Sequence, residues 1–274
     1  MNKNKYVTAV LYLVVFLLIQ YVANYLVCFA WQVAEGKSIR AALSGLNVAA
    51  AHPSVTMMIV VQAVFSIVTL LVFLWAGWCR VSRSYLRSKP WAVLSWAAIA
   101  TLGTVIPSEV FLELVPLPDI SSNLLVEMMG NRWGYLAICI FAPVVEELVF
   151  RGAVLRALLD GSRRHWVAIA VSAALFALVH LNPAQMPHAF CLGLLLGWMY
   201  YRTRSVIPGI MVHWVNNTLA YAVCNIFPQY ADAKVIDLFG GNAMRVTLAV
   251  VFSLFIFIPA VVQLHFRLRR AEKQ

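Results

Sequence analysis

Apolar residues along this chain gather into long runs separated by short polar segments, with no sustained alternation of apolar and polar positions. Runs of that length with few charges read as membrane-crossing helices. Eight emerge, at about 7–31, 55–78, 91–114, 133–159, 166–181, 187–201, 206–226 and 246–266. The first follows Lys3 and Lys5 but is too long for the apolar stretch of a signal peptide, and it lacks a small-x-small cleavage site. It therefore reads as a retained anchor. Two loops, 36–51 and 120–130 (the latter after Pro116 and Pro118), read as interfacial helices on the outer side.

The fifth run is short: 166–181 spans about 24 Å as a helix, less than the hydrocarbon thickness of a bilayer. It meets the sixth at Asn182-Pro183-Ala184-Gln185-Met186-Pro187, a polar turn interrupted by proline. Irregular backbone at membrane depth survives only where protein buries it or where it lines a wet cavity. A hairpin that stops short of the far surface predicts such a cavity.

Composition supports the membrane reading. Of 274 residues, 62% are hydrophobic and 12% charged, against about 25% charged in soluble domains. The fold class is therefore all-α, a polytopic membrane bundle of about eight helices. Net charge is +10, which in a soluble protein would suggest nucleic acid. No nucleic-acid-binding motif is present, and the basic residues instead sit between the apolar runs.

With both termini inside, the cytoplasmic segments carry Lys3, Lys5, Arg80, Arg83, Arg87, Lys89, Arg156, Arg163, Arg164, Arg202, Arg204, Arg267, Arg269, Arg270 and Lys273. The outer segments carry only Lys37, Arg40, Arg132, Lys234 and Arg245. This bias predicts cytoplasmic termini in an inner (cell) membrane of bacterial type. No repeat or flexible linker divides the chain, so residues 1–132, 133–226 and 227–274 are expected to form one membrane domain with the chemistry in the middle segment. The cysteines at 28, 79, 139, 191 and 224 lie singly, without metal-ligand spacing, and read as small apolar side chains.

A few ionisable residues lie where lipid should exclude them. The fourth run contains Glu146, Glu147 and Arg151, each costing about 2.5–3.5 kcal/mol at the bilayer centre if unpaired. Glu147 and Arg151 are four apart on one helix face and can form an ion pair. Glu146 is turned about 100° from Glu147, so it is free to face a cavity. Pro143, one turn earlier, removes a backbone bond and predicts a kink. His180 ends the fifth run, and His213 and Asn217 share a face of the seventh.

Measured from the nearest basic cluster at 1.5 Å per residue, Glu146, His180, His213 and Asn217 lie about 13–22 Å deep, a spread that helix tilt absorbs. A carboxylate, two imidazoles and an amide are thus expected to converge from three helices. Alone, Asn217 reads equally well as interhelical glue. His188 and His265 read as interfacial or loop residues, His52 and His165 as flanking residues without a partner, and Glu109/Glu113 as a solvated face.

At these residues the sequence resembles the CPBP (CAAX protease and bacteriocin-processing, or Abi) family, which includes the Ras-converting-type CAAX prenyl endopeptidases. EExxxR matches Glu146, Glu147 and Arg151, FxxxH matches Phe176 and His180, and HxxxN matches His213 and Asn217. The resemblance covers 143–217. It implies an intramembrane endopeptidase acting on a membrane-associated substrate: a CAAX-like protein, a leader peptide or another anchored precursor. Glu146 with His180 would activate water, His213 and Asn217 would stabilise the oxyanion, and Glu147, Arg151 and Phe176 would give structural support. No cofactor is favoured. Zinc held by Glu146, His180 and His213 is the alternative, since three such ligands with an open position suit a catalytic zinc.

The implied partners are the lipid bilayer and a membrane peptide or protein, not nucleic acid, and the sequence does not set the oligomeric state. Two other functions remain open. One is a non-catalytic scaffold or bacteriocin self-immunity protein on the same fold. The other is a proton-coupled transporter, since intramembrane Glu and His also build proton relays.

Overall fold

In lipid, backbone N–H and C=O groups must find partners within the chain, and the helix does this locally. The computed structural model describes residues 3–51, 53–79, 83–120, 122–230 and 233–269; His52, Arg80, Arg270 and Lys273 lie outside them. Among the described residues there is no strand. The N-terminal half holds α1 (Lys3–Ala34), α2 (Ile39–Ser44), α3 (Leu46–Ala51), α4 (Val55–Trp75), α5 (Arg83–Arg87), α6 (Trp91–Leu114) and α7 (Ser122–Gly130).

A continuous helical rod follows. It comprises α8 (Arg132–Gly134), a π-helical stretch Tyr135–Phe141, α9 (Ala142–Glu147), a second π-helical stretch Leu148–Leu155, and α10 (Arg156–Gly161). After it come α11 (His165–Leu178), α12 (Met186–Thr203), α13 (Ile207–Ile226), α14 (Val235–Leu238) and α15 (Ala243–Arg267).

Among the described residues four helices are long and apolar enough to cross a membrane: Asn4–Ala34 of α1, then α4, α6 and α15. Their outer faces expose Leu11, Leu18, Leu71, Phe252, Phe255 and Phe266, which makes physical sense where the surrounding solvent is hydrocarbon. The chain is an integral, multi-pass membrane protein. The central rod is the opposite case, with every residue from Leu148 to Leu155 buried. Helices α1, α4, α11, α12 and α13 pack around it, and α15 packs on α6 at one side.

Close approach of α11 and α12 depends on Gly193, where an added Cβ would lie 2.9 Å from the Cβ of Ala173. Small residues at such crossings are how membrane helices gain contact.

The structure corrects several expectations. The loop 36–51 forms two short helices, the first beginning only at Ile39, where the Ser38 side chain caps it. The helix expected at 120–130 starts at Ser122. Around Pro143 the rod changes register through π-helical turns on both sides of α9. Glu109 and Glu113 are exposed as expected, and Glu113 in addition accepts a hydrogen bond from the backbone N–H of Val235, tying α6 to α14. His165 has a partner after all: its ring stacks on Tyr201 at 4.2 Å, with the two planes 4° apart.

The turn between α11 and α12 is held by Asn182, 1% exposed. Its amide donates to Asp119 Oδ1 at 2.8 Å, and its Oδ1 accepts from the backbone N–H of Ala184 at 3.3 Å. Asn182 itself is thus buried in protein, whereas Leu181 before it is exposed and residues 183–187 are half-buried.

Candidate active site

The site begins with a missing hydrogen. In the first π-helical stretch the N–H of Ala142 bonds to the carbonyl of Ala137, five residues back. The next bond in that register would run from residue 143 to the carbonyl of Ile138, but proline has no N–H. The Ile138 carbonyl is taken instead by the Asn217 side chain, whose Nδ2 donates to it at 2.9 Å. A proline in the rod thereby positions an amide on α13.

One turn onward the two glutamates diverge. Glu147 is fully buried and its Oε1 accepts from Arg151 Nη1 at 2.7 Å. Arg151, 1% exposed, also donates through Nη2 to the Gly193 carbonyl at 3.4 Å and places its guanidinium carbon 4.4 Å from the centre of the Phe176 ring. A desolvated cation over an aromatic face contributes about 2 kcal/mol, which gives the aromatic residue at 176 a physical reason. Glycine at 209 is required by the same pair: a Cβ there would lie 2.6 Å from Glu147 Oε2.

Glu146 keeps 19% of its side chain exposed. Its Oε2 lies 3.8 Å from His213 Nε2, too far for a direct hydrogen bond and a separation that one water can bridge. The other nitrogen of the same ring, His213 Nδ1, is 3.4 Å from Glu147 Oε1. A carboxylate can only accept, so Nδ1 carries the proton and the buried glutamate orients the ring. Glu147 thus does more than brace the helix.

His180 is fixed by a different local accident. Its backbone N–H bonds to the Ala177 carbonyl, which leaves the Phe176 carbonyl without its usual helical partner. The His180 ring takes that carbonyl through Nδ1 at 2.8 Å. Nδ1 is the donor there, so the neutral ring holds its lone pair on Nε2, the form suited to accept a proton. The Phe176 ring lies edge-on to both imidazoles, with centroids 5.0 Å from His180 and 5.7 Å from His213. Glu146, Glu147, Arg151, Phe176, His180 and His213 therefore form one connected cluster. Asn217 joins the rod beside it through Ile138.

Sequence reasoning passed over two residues. His188, expected at an interface or in a loop, sits in the first turn of α12 and shares a 3.1 Å hydrogen bond with Asn216 Oδ1. Asn216 in turn donates to Asn217 Oδ1 at 3.2 Å. The doubled asparagine 216–217 was the available signal.

Among the described residues no three His, Cys, Asp or Glu side chains are grouped so as to hold a metal ion. The five cysteines are free thiols, with Cys28, Cys79 and Cys139 buried.

Between α4 and the start of the rod lies an apolar groove of about 300 Å³, lined by Ile59, Val60, Ile67, Trp133, Leu136 and Phe141 among others. Phe141 is five residues before Glu146.

Comparison with known proteins bears on the same segment. No curated protein and no solved structure matches the chain significantly. Residues 129–219, which contain the two glutamates, the arginine, both imidazoles and Asn217, match the Rce1-like family, described as type II CAAX prenyl endopeptidase Rce1-like. The match agrees with the resemblance to CAAX proteases that the three motifs carry, and it spans 91 of the 274 residues.

Proposed function

We propose that the protein is an intramembrane endopeptidase that hydrolyses a peptide bond in a membrane-associated substrate of CAAX type. The observation that carries this reading is the asymmetry of the glutamates. Glu147 is sealed against Arg151, while Glu146 is partly exposed with its Oε2 3.8 Å from His213 Nε2.

In this reading Glu146, with the Nε2 lone pair of His180, takes a proton from a water whose oxygen attacks the scissile carbonyl carbon. The developing oxyanion is met by donors aimed where the charge appears. These are the second N–H of the Asn217 amide, beyond the one given to Ile138, and His213 Nε2–H when the ring carries both protons. The proton held by Glu146 passes to the leaving amine nitrogen as the C–N bond breaks, giving an acid and an amine. No step draws on a metal.

The apolar groove beside Phe141 suits the hydrocarbon part of a lipidated substrate. The same reading places the catalytic core at 133–226 within eight crossings, both termini in the cytoplasm, and the whole in a bacterial inner membrane.

The test uses full-length protein in detergent micelles with a farnesylated peptide of the Cys-aliphatic-aliphatic-X type. Glu146→Gln is expected to remove cleavage while leaving the thermal unfolding midpoint unchanged, and wild-type turnover is expected to survive prolonged chelation. A Glu146→Gln protein that cleaves as the wild type does would overturn the reading and leave a scaffold.

A further inference from the structure

The hydrogen bonds around Asn217 form a chain whose direction is set at one end. A carbonyl oxygen only accepts, so the Ile138 carbonyl obliges Asn217 to turn Nδ2 toward it. Asn217 Oδ1 then faces the other way and accepts from Asn216 Nδ2 at 3.2 Å. That leaves Asn216 Oδ1 toward His188 Nε2 at 3.1 Å. Because Asn216 Oδ1 is an acceptor, His188 Nε2 must carry the proton and Nδ1 the lone pair. One carbonyl, freed by Pro143, thereby fixes two amide orientations and one imidazole tautomer across three helices.

We propose that His188 and Asn216 are positioning residues for the reaction, holding the Asn217 amide in the one orientation that donates a hydrogen bond to the Ile138 carbonyl and keeps the second N–H of the same nitrogen for substrate. The inference rests on the reading that Asn217 serves the oxyanion. Without Asn216 the amide is held by Ile138 alone and can rotate about that single bond. Without His188, Asn216 loses the donor that keeps its own Nδ2 facing Asn217. Neither residue touches the reacting atoms, so both act on how often Asn217 is correctly aimed. That is a property of the transition state more than of substrate binding.

The experiment compares His188→Ala, His188→Gln, Asn216→Ala and Asn216→Asp with the wild type and Glu146→Gln, all full length in micelles, on the farnesylated peptide. Asn216→Asp keeps the shape but replaces the donor to Asn217 with an acceptor. Asn216→Asp and His188→Ala should lower kcat by about 10-fold or more, a fraction of the 10²–10³ lost with an oxyanion donor itself, with KM within about twofold. His188→Gln restores kcat, because a glutamine amide can donate from the same place, and that rescue is not expected of a residue that only packs.

Near-wild-type kcat in both Asn216→Asp and His188→Ala, with Glu146→Gln inactive, would overturn this inference and spare the protease reading. A second arm needs no turnover. In ¹⁵N-histidine-labelled protein, the resonance lost in His188→Gln should be that of an Nε2–H tautomer. An Nδ1–H tautomer there breaks the chain whatever the kinetics.

Discussion

His213 turns Nδ1 toward Oε1 of Glu147 at 3.4 Å, onto the oxygen that Arg151 already holds at 2.7 Å. One buried carboxylate oxygen thus serves both an ion pair and an imidazole. The stability of the rod and the aim of His213 are consequently set at the same atom.

Glu147→Ala should therefore damage both. Removing it strands the Arg151 guanidinium in a dry interior, which costs about 3–5 kcal/mol for a buried pair broken on one side. A denaturant titration in micelles checks this, with Arg151→Met on the Glu147→Leu background expected to recover most of the loss. Cleavage stays absent in the recovered double variant, because His213 has lost its acceptor.

Gly209→Ala tests the same pair from the opposite helix. The new Cβ would stand 2.6 Å from Glu147 Oε2, so α13 or the carboxylate must shift. Overpacking of this kind costs about 1–3 kcal/mol. Thermal unfolding should show that loss, together with reduced kcat, whereas Gly130→Ala, where a Cβ meets nothing within 4 Å, should leave both unchanged apart from helix propensity.

Pro143→Ala separates folding from function. The added N–H gives the rod a backbone donor that can compete for the Ile138 carbonyl or continue an α-helical register. Proline inside a helix costs about 3 kcal/mol, so the variant is expected to be at least as stable as the wild type. It should nevertheless cleave more slowly, since Asn217 loses the acceptor that orients it. A thermal melt paired with a kcat measurement distinguishes this from general damage.

Ala63→Trp fills the apolar groove on its α4 side. If that groove takes the hydrocarbon of a lipidated substrate, KM for the farnesylated peptide should rise several-fold, while kcat and the unfolding midpoint stay near wild type. Steady-state kinetics on the same protein preparation decides it.

The helical membrane class was legible in the sequence because lipid imposes a simple rule, that long apolar runs must be helical, and the run at 91–114 coincides with α6 at both ends. The Glu147–Arg151 pair was legible for a similar reason, since four-residue spacing on a helix is a local relation that survives into the buried rod. His188 was not. A histidine just after a proline-interrupted turn has no periodicity to mark it, and its partner lies on another helix 28 positions away. The role of Pro143 was legible only in outline: the missing N–H was evident, but the amide that takes the freed carbonyl comes from α13.

Sequence alone marked out which residues could carry the chemistry, because composition and helical spacing act along one chain. Tertiary structure alone decided how their hydrogen bonds are shared: Glu147 to Arg151 and His213, His180 to the Phe176 carbonyl, Asn217 to Ile138. The physical reason is that donors and acceptors freed in one helix are satisfied by whichever side chain a neighbouring helix brings within about 3 Å, and that depends on crossing and rotation of the helices, which no single segment encodes.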